Sequence, residues 1–208
     1  MNRQVDPRTG YIIVAKRKFA EQGYHGVSLD ALAREAGVTK QALLHFFGTK
    51  EKLYAEVLSD LAIRLSAEID ACKRPDPAEH LTVYFANFAD SSLRRPDEAR
   101  LVARALLDSD TRARTWPLKP YLDKLIALAG RTAGGQDRSD EDLLAWIIQL
   151  IGATQYLAIA SPTVAGMYGK ESAGTVATRF QQIVADRVQA FLEAAGPPPH
   201  LQTDQHRT

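Results

Sequence analysis

The chain has 208 residues, of which 45% are hydrophobic and 25% are charged, and its formal net charge is +1. This length allows a buried core in one or two domains, and the single cysteine, Cys72, excludes an intramolecular disulfide. Because no signal-peptide pattern is found and no membrane span is expected, we predict a cytoplasmic protein that makes no membrane contact.

The charge is distributed unevenly along the chain. Residues 1–50 contain eight basic and four acidic residues, a net charge of +4, whereas the remaining residues together carry −3. A positive surplus confined to one segment is what a phosphate-binding module requires. A solvated basic face that binds nothing would give the same count.

The first predicted element is a helix from Arg8 to Gln22, in which the apolar residues share one face and which is expected to end at Gly23. Residues 1–8 before it are polar, so disorder is predicted there, with an arm that contacts nucleic acid as the alternative. Ser28 stands where the next helix needs an N-cap. We expect this first helix to pack against the helix pair that follows.

The most specific pattern lies in residues 29–48, LDALAREAGVTKQALLHFFG. Apolar spacing predicts two short helices joined by a turn at residues 36–39. Gly37 can adopt the positive φ that ends a helix sharply, and the Thr39 hydroxyl can cap the helix that follows.

Three small or apolar residues fit a close crossing of these two helices. Ala33 is small enough to let them approach, while Val38 and Leu43 can fill the angle between them. The spacing predicts a helix-turn-helix that reads DNA, and the positive charge of the same segment agrees with this interpretation. The alternative is a buried helical hairpin that binds no ligand.

The second helix of the pair, Lys40 to Phe47, is predicted to present its N-terminal positions to DNA. The Gln41 amide can pair with adenine in the major groove, and Lys40 can reach guanine or a phosphate. Hydroxyls beside helix N-termini suit phosphate oxygens, although capping alone, or a packed ring in the case of histidine, would explain the same residues. The predicted DNA-contacting residues are Ser28, Thr39, Lys40, Gln41, Leu44, His45 and Lys50.

A long helix is predicted from about Lys50 to about Cys72, with Thr49 as its N-cap and Pro75 beyond its end. At a rise of about 1.5 Å per residue it would span roughly 30 Å. A helix of this length can begin in the N-terminal unit and couple it rigidly to the rest of the chain.

The order of these features resembles the TetR family of transcriptional regulators over FAEQGYHGVSLDALAREAGVTKQALLHFFGTKEKLYAEVL, residues 19–58. Leu44 stands where the family commonly has tyrosine, and Phe46 where it often has histidine or tyrosine. A phosphate hydrogen bond from a tyrosine hydroxyl is therefore lost at position 44. The matching positions are Gly23-Tyr24, the Ala-Gly-Val turn, His45, Phe47 and Lys50.

The remainder of the chain, from about residue 77 to 195, has a helical rhythm and no motif of known chemistry. A loop is expected at Gly134-Gly135, and a proline-rich, disordered tail from residue 196. Helices are predicted around residues 81–88, around residues 99–107, from Trp116-Pro117 onward, at residues 143–160, and from about Ala173 to Ala194.

The last two predicted helices carry more apolar surface than one chain is expected to cover. The final helix is expected to bury Val176 and Ile183 among other apolar residues. Together with the resemblance, this implies a homodimer in which two helices from each subunit form a four-helix bundle. Two recognition helices would then suit a palindromic operator; a monomer that buries the same surface internally is the alternative.

The resemblance also implies a pocket for a small-molecule effector among the C-terminal helices. The aromatic residues there favour an apolar or aromatic effector, with Asn87 and Gln155 as further polar anchors. Binding would change the angle between the long helix and its partner, and so the spacing of the recognition helices. The candidate lining residues are Tyr84, Phe88, Trp116, Tyr121, Trp146, Gln149 and Tyr156.

An enzyme is not expected, because the sequence has no glycine-rich phosphate loop, no His-Glu-x-x-His motif and no paired cysteines. No cofactor and no metal site are predicted, and a helical interaction protein that never binds DNA is the second alternative. The predicted fold is all-α, with a helix-turn-helix DNA-binding domain at residues 1–50, a helical effector-binding and dimerisation domain at 51–195, and a tail at 196–208. The predicted function is that of a dimeric repressor released from double-stranded operator DNA by its effector.

Overall fold

The computed structural model describes residues 6–107 and 117–194, and within these ranges every regular element is an α-helix. The all-α prediction is therefore confirmed. The predicted tail, Trp116 and residues 1–5 of the predicted arm lie outside the described residues. In chain order the helices are α1 (Pro7–Gly26), α2 (Leu29–Glu35), α3 (Lys40–Phe47), α4 (Lys50–Ala71), α5 (Pro77–Arg94), α6 (Pro96–Leu107), α7 (Lys119–Ala129), α8 (Asp140–Tyr168) and α9 (Lys170–Glu193).

The α2–α3 pair meets at the predicted turn. Gly37 has a φ of 69°, and the Val38 N–H donates to the Ala33 carbonyl at 2.9 Å, which closes the turn. Ala33 and Leu43 are both buried. The helix-turn-helix therefore forms from the same small and apolar residues that the sequence singled out.

Hydroxyl caps begin three successive helices. The side-chain oxygens of Ser28, Thr39 and Thr49 each accept the backbone N–H three residues later, at 3.1–3.2 Å. Each bond satisfies a donor that the start of a helix leaves open. The predicted starts of α2, α3 and α4 are correct for this reason.

The long helix α4 connects the first three helices to the rest of the chain. Phe19 of α1 packs edge-on against Tyr54 of α4, with ring centroids 4.8 Å apart, and both rings are buried. Further along, α4 packs against α7, and Ile69 near its end is buried in the same continuous core. The core therefore runs through both parts of the chain without a break.

The C-terminal helices differ from prediction at several boundaries: α7 begins at Lys119 instead of near Pro117, and α8 begins at Asp140 instead of Leu143. α8 continues through Pro162 to Tyr168 instead of ending near residue 160. Proline removes one backbone donor from a helix, but here the helix resumes beyond it. Only Gly169 separates α8 from α9, so α9 also begins earlier than the sequence indicated.

By length and composition alone, α8 could cross a membrane, and it is the one such helix within the described ranges. The sequence expectation that no segment would meet this test was wrong. A third of its most apolar stretch is buried inside the protein. Leu143, Ile147 and Leu150 are among the buried residues, and they belong to the same core as α4 and α5. Packing of α8 against α5, α6, α7 and α9 accounts for this side of the helix.

The outer face of α9 is less buried than predicted. Val176 and Ile183 are 42% and 52% exposed, so the expectation that they would be buried was wrong for a single chain. Instead α9 turns Val184, Val188 and Phe191 inward against its neighbours. Part of the apolar surface of this helix is therefore left without a partner within one chain.

Candidate nucleic-acid interface

α3 presents a short, largely polar face to solvent at its N-terminal end. Lys40 and Gln41 are exposed and Leu44 is half-buried, and their spacing of three and four residues places them on one side of the helix. Leu43 and Phe47 are buried on the other side. A helix anchored by its buried side can enter the major groove with Lys40, Gln41 and Leu44 facing the bases.

Lys40 is held by an acidic residue that the sequence reasoning did not select. Its Nζ lies 2.9 Å from Oδ2 of Asp30, in the first turn of α2. The pair links the starts of α2 and α3. No spacing rule for a single helix could have found it, because the two residues meet only after the chain has turned at Gly37.

Most basic residues of the first part have acidic neighbours. Lys18 Nζ lies 2.6 Å from a carboxylate oxygen of Glu35, and Arg17 bonds to the same carboxylate. These two partners, Lys18 first, hold the pKa of Glu35 below its usual range. Since exposed ion pairs are weak, such cations can exchange a carboxylate for a phosphate. Among the described residues, the ion pairs of basic residues up to Lys40 include Arg8–Glu56, Lys16–Glu98, Arg17–Glu35, Lys18–Glu35, Lys18–Glu21 and Lys40–Asp30.

Lys50 is the predicted phosphate contact with the largest structural role. Its Nζ donates to the Val27 carbonyl at 2.8 Å and lies 4.2 Å from the centroid of the Tyr24 ring. Tyr24 in turn donates its hydroxyl hydrogen to Glu51 at 2.8 Å. Lys50 therefore ties the segment before α2 to the start of α4, whether or not it also reaches DNA.

The other phosphate candidates are accessible. Ser28 and Thr39 are exposed caps, and His45 is exposed instead of packed beneath the helix. Phe46 beside it is 42% exposed and packs edge-on against Tyr11 of α1, with ring centroids 5.2 Å apart. The α3 surface thus combines hydroxyl and imidazole groups with an aromatic ring that braces α3 against α1.

Two contacts from α6 fix the position of α1. The Arg104 guanidinium donates to the carbonyls of Ala20 and Glu21, at 2.9 and 2.7 Å. These carbonyls precede Gly23, where the backbone of α1 leaves helical geometry. Lys16 of α1 also lies 3.6 Å from a Glu98 oxygen of α6. The sequence carried no signal for these contacts, because the partners are more than 80 residues apart.

The same glutamate belongs to a network of charges between helices. Arg64 of α4 bonds to Glu98 and, at 2.6 Å, to Glu68 one turn along its own helix. Arg95, which precedes α6, lies 2.6 Å from Glu68. Through Glu98 the network reaches Lys16, so it connects α1, α4 and α6 directly.

The predicted effector residues fall into two groups. Tyr84 and Tyr121 are buried with their hydroxyl oxygens 2.6 Å apart, and Phe88 stacks beside Tyr84 with ring centroids 6.0 Å apart. Burial raises the pKa of both tyrosines, because an ionised phenolate would lose its water there. These three residues form one continuous aromatic cluster between α5 and α7.

Of the remaining predicted effector residues, Trp146 is linked to that cluster through Phe85, whose ring packs edge-on against both Trp146 and Tyr84, with centroids 5.4 and 5.2 Å away. Trp146 stacks on Phe191 of α9, with ring centroids 4.0 Å apart. Gln149 is exposed, and Tyr156 is 76% exposed on the outer side of α8. Trp116 is not among the described residues. The structure therefore does not bring the seven predicted residues into a single cavity.

A narrow crevice lies next to the aromatic cluster. It has a volume of about 20 Å³, which holds one or two water molecules. Phe88 and Gln155, both sequence candidates, line it together with residues of the charged network. A wider, open groove of about 580 Å³ runs between α4 and Pro117 and Pro120. The crevice is lined by Leu61, Leu65, Phe88, Ser91, Ser92, Arg95, Glu98, Ala99, Val102 and Gln155.

Comparison with known sequences places this arrangement among regulators of transcription. Residues 12–57 match the family described as bacterial regulatory proteins, tetR family. Over 183 residues the chain is 26% identical to the HTH-type transcriptional regulator RutR of Escherichia coli, an alignment that covers 86% of this chain and 85% of RutR.

Solved structures share the fold over nearly the whole chain. The fatty acid degradation regulator FadR of Bacillus halodurans aligns with a TM-score of 0.68 at 18% identity, covering 93% of this chain and 98% of that one. The transcriptional regulator FadR of Bacillus subtilis, solved with stearoyl-CoA, aligns with a TM-score of 0.63 at 16% identity, covering 89% and 97%. Identities this low establish the shared fold only.

Proposed function

From the premise that this chain belongs to the TetR family of bacterial regulatory proteins, we propose that it is a dimeric repressor which a small apolar or aromatic effector releases from its operator DNA. The observation that carries this proposal is the exposed face of α3, with Lys40 and Gln41 leading, on a helix anchored from behind by buried Leu43 and Phe47. The named relatives are transcriptional regulators, which favours a regulatory role over catalysis and a location in the cytoplasm.

The proposed dimer rests on apolar surface that one chain leaves uncovered on α8 and α9. Ile148 and Tyr156, eight residues apart on α8, are 53% and 76% exposed. Val176 and Ile183 provide a similar stripe on α9, which packs beside α8. Exposed apolar side chains on two neighbouring helices favour an interface at this surface. Two such helix pairs related by a two-fold axis would form a four-helix bundle.

The proposed response to an effector follows from the small volume of this crevice. An organic molecule cannot enter a space of about 20 Å³ unless the surrounding helices move apart. Helix α6 provides part of that lining, and its Arg104 and Glu98 hold α1. Effector binding would therefore shift α1 and the α2–α3 pair together, and so change the distance between the two α3 helices of a dimer.

The first test is a selection of genomic DNA fragments by the purified full-length protein, repeated over a range of salt concentrations. We expect a recurring palindrome whose half-sites lie roughly one helical turn apart, bound with an affinity that falls steeply with salt. Weak binding without sequence preference would contradict the proposal and favour a helical interaction protein. Binding within a promoter, and its reversal by apolar compounds in the same assay, would separate repression and effector release from DNA recognition.

A further inference from the structure

Leu44 is the one aliphatic side chain among the described residues on the outward N-terminal face of α3. It lies three residues after Gln41 and four after Lys40, and is half-buried. Its backbone carbonyl accepts the Gly48 N–H at 2.8 Å, so the last turn of α3 is closed. Leu44 therefore occupies the same surface as the two predicted base-reading residues.

The positions of Lys40 and Gln41 determine where Leu44 would meet the DNA. Lys40 is held 2.9 Å from Asp30, at the start of α2. Gln41 is exposed and can pair with an adenine edge. When α3 enters the major groove, Leu44 follows Gln41 along the helix and meets a base next to the one that Gln41 contacts.

From this geometry we infer that Leu44 recognises the C5-methyl group of a thymine in each half-site; the inference rests on the proposed DNA-binding function. An aliphatic side chain cannot donate a hydrogen bond to a phosphate, and its favourable partner in the major groove is the thymine methyl group. Contact between the two removes apolar surface of both from water. Leu44 is in this view a specificity-determining residue.

The test replaces each thymine of the selected duplex by deoxyuridine, which removes only the methyl group. For the full-length wild-type protein, one replacement in each half-site removes two methyl groups from the duplex and is expected to weaken binding about fifteenfold, since one buried methyl group corresponds to about fourfold. Leu44→Ala should abolish this difference, while Leu44→Met, which keeps an apolar side chain of similar length, should retain it. Gln41→Ala is the matched control, because it should weaken binding yet keep the thymine–uracil difference.

Two results would overturn the inference alone. One is a specific duplex in which no thymine responds to deoxyuridine, and the other is a Leu44→Ala variant that folds, binds and shows the same difference as the wild type. If Leu44→Ala does not fold, loss of the thymine–uracil difference in the Leu44→Met variant would overturn it instead. A protein that selects no sequence at all would overturn the proposed function together with this inference.

Discussion

Arg104 of α6 donates from Nε to the backbone carbonyl of Ala20 in α1, at 2.9 Å. This carbonyl lies three residues before Gly23, where the backbone of α1 leaves helical geometry. The Arg104 side chain of α6 thus supplies a hydrogen-bond donor to the backbone of α1. The contact makes the position of α1 depend on that of α6.

We expect Arg104→Ala to loosen the end of α1. Loss of two hydrogen bonds from an exposed guanidinium should lower the free energy of unfolding by about 1 kcal/mol, and amide hydrogen exchange should accelerate around residues 20–26. DNA affinity should fall as well. Arg100→Ala is the control, because Arg100 pairs only with Asp97 of its own helix among the described contacts. Equal exchange at residues 20–26 in both variants would show that Arg104 does not hold α1.

Lys50→Ala should affect both stability and DNA binding. The variant leaves the Val27 carbonyl without its 2.8 Å donor, so the free energy of unfolding should fall by about 1 kcal/mol. If Lys50 also contacts phosphate, binding should weaken equally for all sequences, and the salt slope should decrease by about one unit. Lys73→Ala, at the far end of α4, serves as the control. A lower stability with an unchanged salt slope would leave Lys50 a purely structural residue.

The buried Tyr84–Tyr121 pair should respond in a non-additive way to substitution. Tyr84→Phe removes one hydroxyl and leaves that of Tyr121 without its 2.6 Å partner, which should cost about 1–3 kcal/mol. In Tyr84→Phe/Tyr121→Phe no buried hydroxyl is left unpaired, so the double variant should be more stable than the sum of the single changes predicts. Urea unfolding of the four proteins measures this. Additive losses would contradict the coupling.

The same pair predicts a loss of stability in alkali. Burial raises the pKa of Tyr84 and Tyr121 in the folded protein above that in the unfolded chain. Their contribution to stability is therefore fully present below about pH 10 and is lost as the pH rises further. Above about pH 10, the free energy of unfolding should fall more steeply for the wild type than for the double phenylalanine variant. Parallel pH profiles would contradict this prediction.

Ile183→Glu should disrupt the proposed dimer. Ile183 is 52% exposed in one chain, and a carboxylate at that position would be buried without a partner in a four-helix bundle. The mass in solution at micromolar concentration should change from dimer to monomer. Thr178→Glu adds the same charge at an exposed position on another side of α9 and should remain dimeric. A wild-type protein that is monomeric under these conditions would end the dimer proposal.

The turn and the helix starts could be predicted from sequence because their causes are local. Gly37, Thr39 and Thr49 act on residues within three or four positions of themselves, so their spacing is sufficient. The Lys40–Asp30 and Arg104–Ala20 contacts could not be predicted in this way, because they depend on how separate helices are placed. The same limit applies to Tyr156, where periodicity shows an apolar helix but not which side faces solvent.

Acidic side chains of the first three helices form ion pairs with the basic side chains of the same surface. Glu35 pairs with two cations and Asp30 with one, so fewer mobile ions need to gather around this surface in solution. When phosphates replace these carboxylates, the DNA releases its condensed cations, but each freed carboxylate attracts cations from solution, so the net release of salt ions is smaller. The measured salt slope would then be smaller than the number of cations that reach the DNA backbone.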